Sequence, residues 1–356
     1  MNLLVTGGAG YIGSHFTKAA LECGHRVSII DNLSTGNSFA LDALRHLANS
    51  KGKSACINCK ALFSFYRGCY GDKKLIEEIF KTNQTDAVIH LAASSLVSES
   101  LKNPEKYYQD IQLTRNLVDM MKKHSIYKLV FSSSAAVYGR PQSVPITEDS
   151  PISPVSPYGE AKAFIEKMLW EFASKNTEED YKLNFVALRY FNACGAAADS
   201  SLGESHKPET HLIPRLLLSA ADATPRCQIY GSDYPTADGT CVRDYIHVED
   251  IASAHLQALK LLCSNTANTS DGQVSGEIIN LGTGQGFSIL EIIKTVGSLT
   301  GKPFEKQFFG RREGDPAILI ASNKKAFDIL SWSPRYTKIE DMLATAWQWH
   351  KKTGCP

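Results

Sequence analysis

The chain has 356 residues, of which 43% are hydrophobic and 21% are charged, so it can form one large domain or two smaller ones with ample cores. Its net charge of +1 excludes the strong basic surplus of nucleic-acid-binding proteins and of proteins that bind anionic membranes. No apolar stretch reaches the length of a membrane span, and we expect no signal peptide, since a strand is predicted from Asn2 without a preceding basic region.

The first predicted element is a strand that leads directly into a glycine-rich turn and a helix. Residues Asn2–Val5 are mainly apolar, and Thr6–Gly13 follow with four glycines. The first glycine permits the turn, the third lets the backbone approach a pyrophosphate, and the last lets the helix pack on the strand. The anion is expected against the N–H groups of the helix start. The residues predicted to bind it are Gly7, Gly10, Tyr11, Ile12 and Gly13.

A second strand is predicted over Arg26–Ile30, and it ends at an acidic residue. Asp31 lies about 20 residues beyond the glycines, where a carboxylate binds a ribose 2′-hydroxyl in dinucleotide-binding folds. Because this carboxylate repels a 2′-phosphate, the sequence favours NAD over NADP. Three polar residues of the following loop are predicted as further contacts to the ribose, with solvated loop positions as the alternative: Asn32, Ser34 and Asn37.

The segment 43–70 shows little periodicity, so we predict a loop or a short strand excursion there. The chain has nine cysteines without a paired framework. Cys56 and Cys59 form a CxxC, but no second CxxC or matching histidine pair accompanies it, which favours free thiols over a metal or redox site. Reduced cysteines and no signal sequence indicate a cytoplasmic protein.

Apolar runs and amphipathic stretches then alternate along the chain. Strands are predicted at 86–91, 128–132 and 184–188, and helices at about 72–82, 105–124 and 157–174. This alternation predicts an α/β fold with a doubly wound parallel sheet of the Rossmann type. The carboxyl ends of the strands should face one crevice, where ligands bind in such sheets. These ends carry Leu91-Ala92-Ala93, Ser132-Ser133-Ser134 and Arg189-Tyr190-Phe191-Asn192.

Tyr158 and Lys162 lie one turn apart on the last of these predicted helices. Ser156 is typical of an N-cap and Pro157 of the first helical position, so both functional side chains share one helix face. A nearby ammonium group stabilises a phenolate, which makes the pair a candidate general base at neutral pH. The alternative is a surface pair or a buried structural tyrosine, but the nucleotide fingerprint in the same chain favours the catalytic interpretation.

After Asn192 the chain becomes rich in Gly, Pro, Asp and Ser, up to about Arg243. We therefore predict an NAD-binding domain over residues 1–190, to which the chain returns near 240–265, and a smaller α/β substrate domain over residues 191–356. His247 and Asp250 have the spacing of two metal ligands, but no third ligand is evident. We expect them to anchor the following helix, and no metal is predicted.

Several motifs together resemble the extended short-chain dehydrogenase/reductases, and within them the enzymes that act on UDP-sugars. The resemblance spans nearly the whole chain. The motifs that carry it are Thr6–Gly13, Ser132–Gly139, Ser156–Lys162, Leu188–Asn192, Gly231–Val248 and Arg311–Asp315.

The resemblance implies a role for each matching residue. Tyr158 is the expected acid/base at the sugar 4-hydroxyl, Ser134 binds the same hydroxyl, and Lys162 binds the nicotinamide ribose while lowering the Tyr158 pKa. Further NAD contacts are implied for Leu91, Ala92, Ala93, Ser132 and Tyr190. Residues implied to bind the UDP-sugar are Asn192, His211, Leu212, Tyr230, Arg243, Arg312 and Asp315, with Leu319 at the sugar end.

Two short segments near the implied site are informative. The first differs from the motif that is usual in related enzymes, and the second distinguishes the reactions that those enzymes catalyse. Gln109-Asp110-Ile111 stands where an Asn-Asn-Val is usual, with one residue lost. Dehydratases of this family carry an Asp-Glu pair after the catalytic Ser or Thr, and decarboxylases keep a Glu there. This chain has Ala135-Ala136, which cannot transfer a proton, so oxidation and re-reduction at one carbon remain.

The resemblance thus implies NAD-dependent interconversion of UDP-glucose and UDP-galactose through a 4-keto sugar, as in galactose metabolism. Two alternatives use the same machinery: 4-epimerisation of UDP-N-acetylhexosamines, which a small Leu319 would admit, and of UDP-pentoses such as UDP-xylose and UDP-arabinose. A third, of a different class, is an inactive NAD-binding regulator, which would not need Ser134, Tyr158 and Lys162. The implied partner is a second copy of the chain, joined through the helices near 105–124 and 157–174 as a four-helix bundle.

Overall fold

The structure is a computed structural model that describes residues 1–52, 62–174, 181–264, 276–312 and 314–353. The chain divides into two compact units. Unit 1 comprises Met1–Val137, Pro154–Arg189 and Ala252–Ile279, and unit 2 comprises Tyr138–Ser153, Tyr190–Ile251 and Asn280–Pro356. Among the described residues, no helix combines the length and apolar character needed to span a bilayer.

The strands are β1 (Asn2–Thr6), β2 (Arg26–Asp31), β3 (Phe63–Arg67), β4 (Ala87–His90), β5 (Lys128–Ser134), β6 (Asn184–Tyr190), β7 (Asn192–Cys194), β8 (Arg226–Tyr230), β9 (Val242–Arg243), β10 (Tyr245–His247), β11 (Gly276–Leu281), β12 (Phe287–Ser288), β13 (Glu305–Phe309) and β14 (Ile318–Leu319). The helices are α1 (Tyr11–Glu22), α2 (Ser38–Gly52), α3 (Lys73–Asn83), α4 (Val97–Ser100), α5 (Pro104–Lys123), α6 (Pro157–Ala173), α7 (Leu212–Ser219), α8 (Val248–Ser264), α9 (Ile289–Thr300), α10 (Lys324–Leu330) and α11 (Ile339–Thr353).

Unit 1 is built on a seven-stranded sheet with the strand order β11-β6-β5-β4-β1-β2-β3. The pairs β1–β2, β1–β4, β2–β3 and β4–β5 are all parallel. The strand order reverses between β1 and β4, which is where dinucleotides bind in sheets of this topology. The structure confirms the predicted α/β fold with a Rossmann-type sheet, and β4, β5 and β6 lie where the apolar runs predicted strands.

Apolar residues on the strands and on one side of each helix form the core of unit 1. In β1, Leu3, Leu4 and Val5 are fully buried, as expected for a strand covered on both faces. In α3, Ile76 and Ile79 join the same core, and Asp72 caps the helix by accepting hydrogen bonds from two backbone N–H groups of its first turn.

The prediction of a loop or short strand over 43–70 is wrong for residues 43–52, which are helical, and is confirmed for residues 62–70, which contain a short strand. Residues up to Gly52 belong to helix α2, in which Leu41, Leu44 and Ala48 are buried at helical spacing. Phe63–Arg67 form β3, which pairs with β2 at the edge of the sheet. Cys56 and Cys59 lie outside the described residues.

Unit 2 combines short strands with several helices. Strands β7 and β10 pair in parallel, as do β8 and β13, while β9 lies between β12 and β14. Its core includes Ile213, Leu217, Ile292, Val296 and Met342, contributed by α7, α9 and α11. This core holds the short strands, whose ends carry four of the residues predicted to bind the UDP-sugar: Asn192, Tyr230, Arg243 and Leu319.

Candidate active site

The glycine turn between β1 and α1 leaves no room for side chains. Gly7 has φ +70°, and a Cβ there would lie 2.7 Å from backbone atoms of Ala92 at the end of β4. A Cβ on Gly13 would lie 2.1 Å from the carbonyl oxygen of Gly7. Gly10 caps α1 without a side-chain hydrogen bond, so the first turn of the helix offers its N–H groups to an anion. This geometry fits the pyrophosphate of NAD, with Tyr11 and Ile12 at the helix start.

Asp31 ends β2 beside this turn and is 8% exposed. One carboxylate oxygen accepts a hydrogen bond from the N–H of Ala9 (3.0 Å), and the other accepts one from the N–H of Leu33 (2.8 Å). Burial raises the pKa of Asp31, while these two N–H groups lower it in part. Since each oxygen has two lone pairs, the carboxylate can accept a ribose hydroxyl as well.

The polar residues after Asp31 shape the loop that follows β2. The side-chain oxygen of Asn32 accepts a hydrogen bond from the N–H of Ser34 (3.0 Å), and the N–H of Asn37 donates to the carbonyl oxygen of Ala9 (3.0 Å). These contacts hold the loop beside the glycine turn. Ribose contacts of these residues stay a prediction.

The predicted catalytic residues lie together in unit 1. Ser156 caps α6, since its hydroxyl accepts a hydrogen bond from the N–H of Gly159 (3.2 Å), which confirms the predicted helix start. Lys162 is 4% exposed, and its Nζ donates to the carbonyl oxygen of Ser132 at 2.7 Å. The same Nζ lies 5.9 Å from the centre of the Tyr158 ring. Ser134, at the end of β5, acts on the Tyr158 phenol and lowers its pKa in part.

The net shift of the Tyr158 pKa is upward, and the predicted lowering by Lys162 stays a prediction. Burial raises the pKa of the Tyr158 phenol, the hydrogen bond with Ser134 lowers it in part, and the negative charge of Asp110 raises it further. Burial also lowers the pKa of Lys162 to about 8, against the charges of Asp110 and Glu166. Desolvation therefore dominates both groups, and the ammonium donates its hydrogen bond to a backbone carbonyl.

A cavity of about 240 Å³, including its open mouth, lies against Tyr158 and Lys162 within unit 1. His90 is also part of its wall, and its ring nitrogens contact the hydroxyls of Thr6 (2.7 Å) and Thr114 (2.9 Å). Burial lowers the pKa of His90 to about 3, with a contribution from the charge of Lys162, so this ring is neutral at physiological pH. The other lining residues include Ala92, Ala93, Ser94, Tyr107, Asp110 and Phe131.

Asp110 is a candidate functional residue to which the sequence analysis assigned no role. It is 8% exposed and lines the same cavity as Tyr158 and Lys162. One carboxylate oxygen accepts from the Tyr70 hydroxyl (2.7 Å) and the other from the N–H of Ser94 (2.8 Å). A buried carboxylate on the apolar face of α5 was a signal that could have identified it.

A second group that the sequence analysis did not identify is a buried ion pair between helix α6 and strand β6. The guanidinium of Arg189 donates to both oxygens of Glu166, at 2.8 and 2.6 Å. Glu166 also accepts a hydrogen bond from the Ser133 hydroxyl at 2.5 Å. Glu166 lies one turn after Lys162, so this spacing was the available signal. The pair fixes α6 against the ends of β5 and β6 and thereby positions Lys162.

Among the predicted UDP-binding residues, Asn192, Leu319 and Arg243 are neighbours in unit 2. The N–H of Asn192 donates to the carbonyl oxygen of Asp244 (3.0 Å), and the N–H of Asp244 donates to that of Leu319 (2.9 Å). Leu319 pairs with Arg243 across β14 and β9. The Arg243 guanidinium, 7% exposed, donates to the carboxylate of Asp315. Two of the residues predicted to bind UDP, Arg243 and Asp315, thus bind each other. A guanidinium has five N–H donors, so Arg243 can contact a phosphate as well.

The other predicted UDP-binding residues form two further groups. The guanidinium carbon of Arg312 lies 4.0 Å from the centre of the Tyr230 ring, a cation–π contact that leaves its N–H edges available for a phosphate. His211 precedes Leu212 at the start of α7, where its Nδ1 contacts Glu204 at 2.6 Å. Tyr190, which was predicted to contact NAD, ends β6 and is mostly buried.

His247 and Asp250 have structural partners. The ring of His247 stacks on Tyr336 with 3.8 Å between centres, and its Nε2 lies 3.0 Å from the Thr345 hydroxyl. Asp250 accepts hydrogen bonds from the N–H groups of Arg335 (3.0 Å) and Tyr336 (2.9 Å). These contacts tie the start of α8 to the segment before α11.

Comparison with known proteins places these residues in a family. A model of the NAD dependent epimerase/dehydratase family matches residues 3–282. A protein of Halalkalibacterium halodurans named UDP-glucose 4-epimerase is 45% identical over 354 residues, covering 99% of this chain and 96% of its own. UDP-arabinose 4-epimerase 1 of Arabidopsis thaliana is 38% identical over 355 residues, covering 98% of this chain and 79% of its own.

Solved structures agree with the sequence matches. The crystal structure of UDP-glucose 4-epimerase from Bifidobacterium longum, in complex with NAD+ and UDP, superposes with a TM-score of 0.87. It is 36% identical in sequence, and the match covers 99% of each chain.

Proposed function

The chain belongs to the NAD dependent epimerase/dehydratase family, and we propose that it interconverts UDP-glucose and UDP-galactose by inverting C4 of the sugar. The observation that carries this proposal is that Tyr158 and Lys162 line one cavity, with Ser134 acting on the Tyr158 phenol, in a chain 45% identical over nearly its full length to a UDP-glucose 4-epimerase. The reaction is an isomerisation with no net oxidation.

Residues of unit 1 would hold NAD. The N–H groups at the start of α1 would bind its pyrophosphate, and Asp31 would bind its adenosine ribose. When bound, NAD supplies a reversible hydride acceptor for the sugar C4. The buried residues that line the cavity, among them His90 and Phe131, would shield this acceptor from water.

Tyr158 is the proposed proton acceptor for the sugar 4-hydroxyl, and Ser134 holds that hydroxyl. Because burial raises its pKa, the phenol needs an electrostatic partner before it can give up its proton. Lys162 is buried beside the phenol, and its protonated amine is this electrostatic partner. The 4-keto sugar then turns within the site, and Tyr158 returns the proton to the product.

Residues of unit 2 would hold the UDP. Arg243 and Arg312 are suited to the pyrophosphate, since guanidinium groups bind phosphate oxygens through paired N–H donors. Asp315, Asn192, His211, Leu212 and Tyr230 would bind the uridine. A firm hold on UDP is what would let the sugar ring turn while the intermediate stays bound.

The direct test is turnover of UDP-galactose that carries deuterium at C4. The product, followed by mass spectrometry and NMR, should be UDP-glucose with the deuterium still on C4, because the reversible oxidation never releases that hydrogen to water. No turnover would exclude the activity and favour a non-catalytic NAD-binding protein. Loss of the deuterium to solvent would replace the oxidative route with a carbanion route.

A second substrate class is supported by the plant relative named UDP-arabinose 4-epimerase, which uses a UDP-pentose.

Leu319, partly buried in β14, is the residue predicted to line the sugar end of the site. We expect Leu319→Tyr to reduce turnover of UDP-N-acetylgalactosamine at least about tenfold relative to UDP-galactose, since a larger ring narrows the pocket. Rates for UDP-galactose, UDP-N-acetylgalactosamine and UDP-arabinose, compared in both proteins, test this. An equal loss of turnover for all three substrates in Leu319→Tyr would show that Leu319 does not determine the choice of sugar.

We also propose a homodimer and a cytoplasmic, galactose-metabolic role. The dimer is supported by exposed apolar residues on the packed helices α5 and α6, where Phe164 is 55% and Tyr108 42% exposed. The cytoplasm is supported by the free thiols of Cys23, Cys69, Cys194, Cys227 and Cys241.

A further inference from the structure

Four side chains of the types that bind metal ions converge in the segment of unit 2 that precedes α7. They are Glu204, His206, Glu209 and His211, and their donor atoms all lie within 4.8 Å of one another. The sequence offers other candidate metal ligands at Cys56 and Cys59 and at His247 and Asp250, and no metal is predicted at either place. Two histidines and two carboxylates within one short segment are a donor set that binds Zn²⁺.

The distances among these atoms fit a tetrahedral ion. Bonds of about 2.0–2.2 Å place the ligand atoms of tetrahedral Zn²⁺ about 3.4 Å apart. Nδ1 of His206 lies 3.4 Å from Oε1 of Glu204 and 3.5 Å from Oε2 of Glu209. Nδ1 of His211 and Oε1 of Glu204 are closer, at 2.6 Å, and would separate by roughly 0.8 Å around an ion.

Hydrogen bonds orient one of the carboxylates toward the centre of the cluster. Oε1 of Glu209 accepts from the N–H groups of Thr210 (2.8 Å) and His211 (2.9 Å), which leaves Oε2 directed at His206. Metal-binding carboxylates are commonly held in this way by hydrogen bonds to the oxygen that faces away from the ion.

The imidazole of His206 provides a second, independent observation. Its Nδ1 is shielded from solvent and, among the described residues, makes no hydrogen bond of acceptable geometry, although two carboxylates lie at 3.4 and 3.5 Å. Buried polar atoms in folded proteins almost always have a partner. A metal ion between the imidazole and the carboxylates would supply that partner.

We propose that Glu204, His206, Glu209 and His211 bind one Zn²⁺ ion in a closed, four-coordinate site. Two carboxylates and two neutral imidazoles balance the charge of a dication, and four protein ligands leave no open position for catalysis. The ion is therefore structural. It ties the loop 204–209 to His211, the residue that begins α7, and so fixes the position of Leu212.

The test measures Zn²⁺ binding to the tag-free full chain after removal of metals with a chelator. Calorimetric titration with ZnCl₂, together with metal analysis after dialysis, should show one equivalent bound. His206→Gln and Glu209→Gln should each weaken binding by at least about tenfold. His46→Gln, on the exposed face of α2, is the matched control and should bind as the wild type does.

A second variant and a spectroscopic probe distinguish Zn²⁺ bound at the proposed site from Zn²⁺ bound by cysteines. The double variant Cys56→Ser, Cys59→Ser should keep the full equivalent of Zn²⁺, and Co²⁺ should give the intense visible bands of a tetrahedral site without a thiolate charge-transfer band. Zn²⁺ should also raise the melting temperature of the wild type but not of the His206 and Glu209 variants. The proposal is overturned if no Zn²⁺ binds, if both ligand variants bind like the wild type, or if the cysteine variant loses the ion.

Discussion

Asp110 is the buried acid whose charge acts on both Tyr158 and Lys162. It lines the same cavity as the two and raises the pKa of each. Its own oxygens accept hydrogen bonds from Tyr70 and Ser94, so its position is fixed. The ionisation of the proposed base therefore depends on this carboxylate as well as on burial.

We predict that Asp110→Asn shifts the ascending limb of the pH profile of kcat/KM to lower pH. A base acts when deprotonated, so activity rises as pH passes through its pKa. Removing the negative charge of Asp110 takes away one of the causes that raise the pKa of Tyr158, and this pKa falls. The measurement is kcat/KM for UDP-galactose against pH in both proteins.

Asp119→Asn is the control for this shift. Asp119 lies on the same helix, α5, but is exposed and pairs with Lys73 at 3.4 Å. Loss of the Asp119 charge should leave the pH profile of kcat/KM unchanged. An Asp110→Asn profile that moves to higher pH, or does not move, would contradict the assigned electrostatics.

The elements around the glycine turn were predictable because their residues are locally constrained. Gly7 and Gly13 occupy positions that only glycine can fill, and the apolar runs of β4, β5 and β6 have the length of buried strands. Helix α2 was missed because its polar residues mask the spacing of Leu41, Leu44 and Ala48.

The role of Asp110 was also hidden, although the buried stripe of α5 contains it. This stripe runs through Tyr107, Asp110, Thr114, Leu117 and Met121 at helical spacing. A sequence pattern shows that the residue faces inward, but only three-dimensional packing shows that it reaches the cavity of Tyr158. The Zn²⁺ ligands were missed for a related reason, since their convergence depends on the fold of a loop.

We predict that Gly13→Ala destabilises the protein by about 1–3 kcal/mol and weakens NAD binding, because its Cβ would lie 2.1 Å from the Gly7 carbonyl oxygen. The strain moves α1 away from β1 and disturbs the N–H groups that would bind the pyrophosphate. Thermal unfolding and NAD titration measure both effects. Gly310→Ala, where a Cβ meets no atom within 4 Å, should change neither. Unchanged NAD affinity in Gly13→Ala would contradict the role assigned to this turn.

The two units of the chain carry different parts of the proposed chemistry. Unit 1 holds the glycine turn and the catalytic residues Ser134, Tyr158 and Lys162. Unit 2 holds the arginines and the other residues proposed for UDP, together with the four proposed Zn²⁺ ligands. UDP binding and catalysis can therefore be impaired separately by substitutions in one unit or the other.

The exposed apolar face of α5 and α6 predicts how copies of the chain associate. Phe164 on α6 is 55% exposed, and we expect Phe164→Asp to convert a dimer into a monomer, because a charge buried in a helical interface is costly. Light scattering after size-exclusion chromatography measures the mass. Phe327 on α10 is 64% exposed, so Phe327→Asp is the matched control and should remain dimeric. A wild-type monomer, or a dimer that survives Phe164→Asp, would exclude this interface.

The account rests on proton transfer by Tyr158, and its most direct test is turnover of UDP-galactose by Tyr158→Phe. The expected result is a fall in kcat of at least about 10²-fold, with UDP and NAD still bound and the melting temperature little changed. Tyr127→Phe, at a 40% exposed position, should keep wild-type turnover. A Tyr158→Phe protein that epimerises UDP-galactose within a few-fold of the wild-type rate would contradict the account.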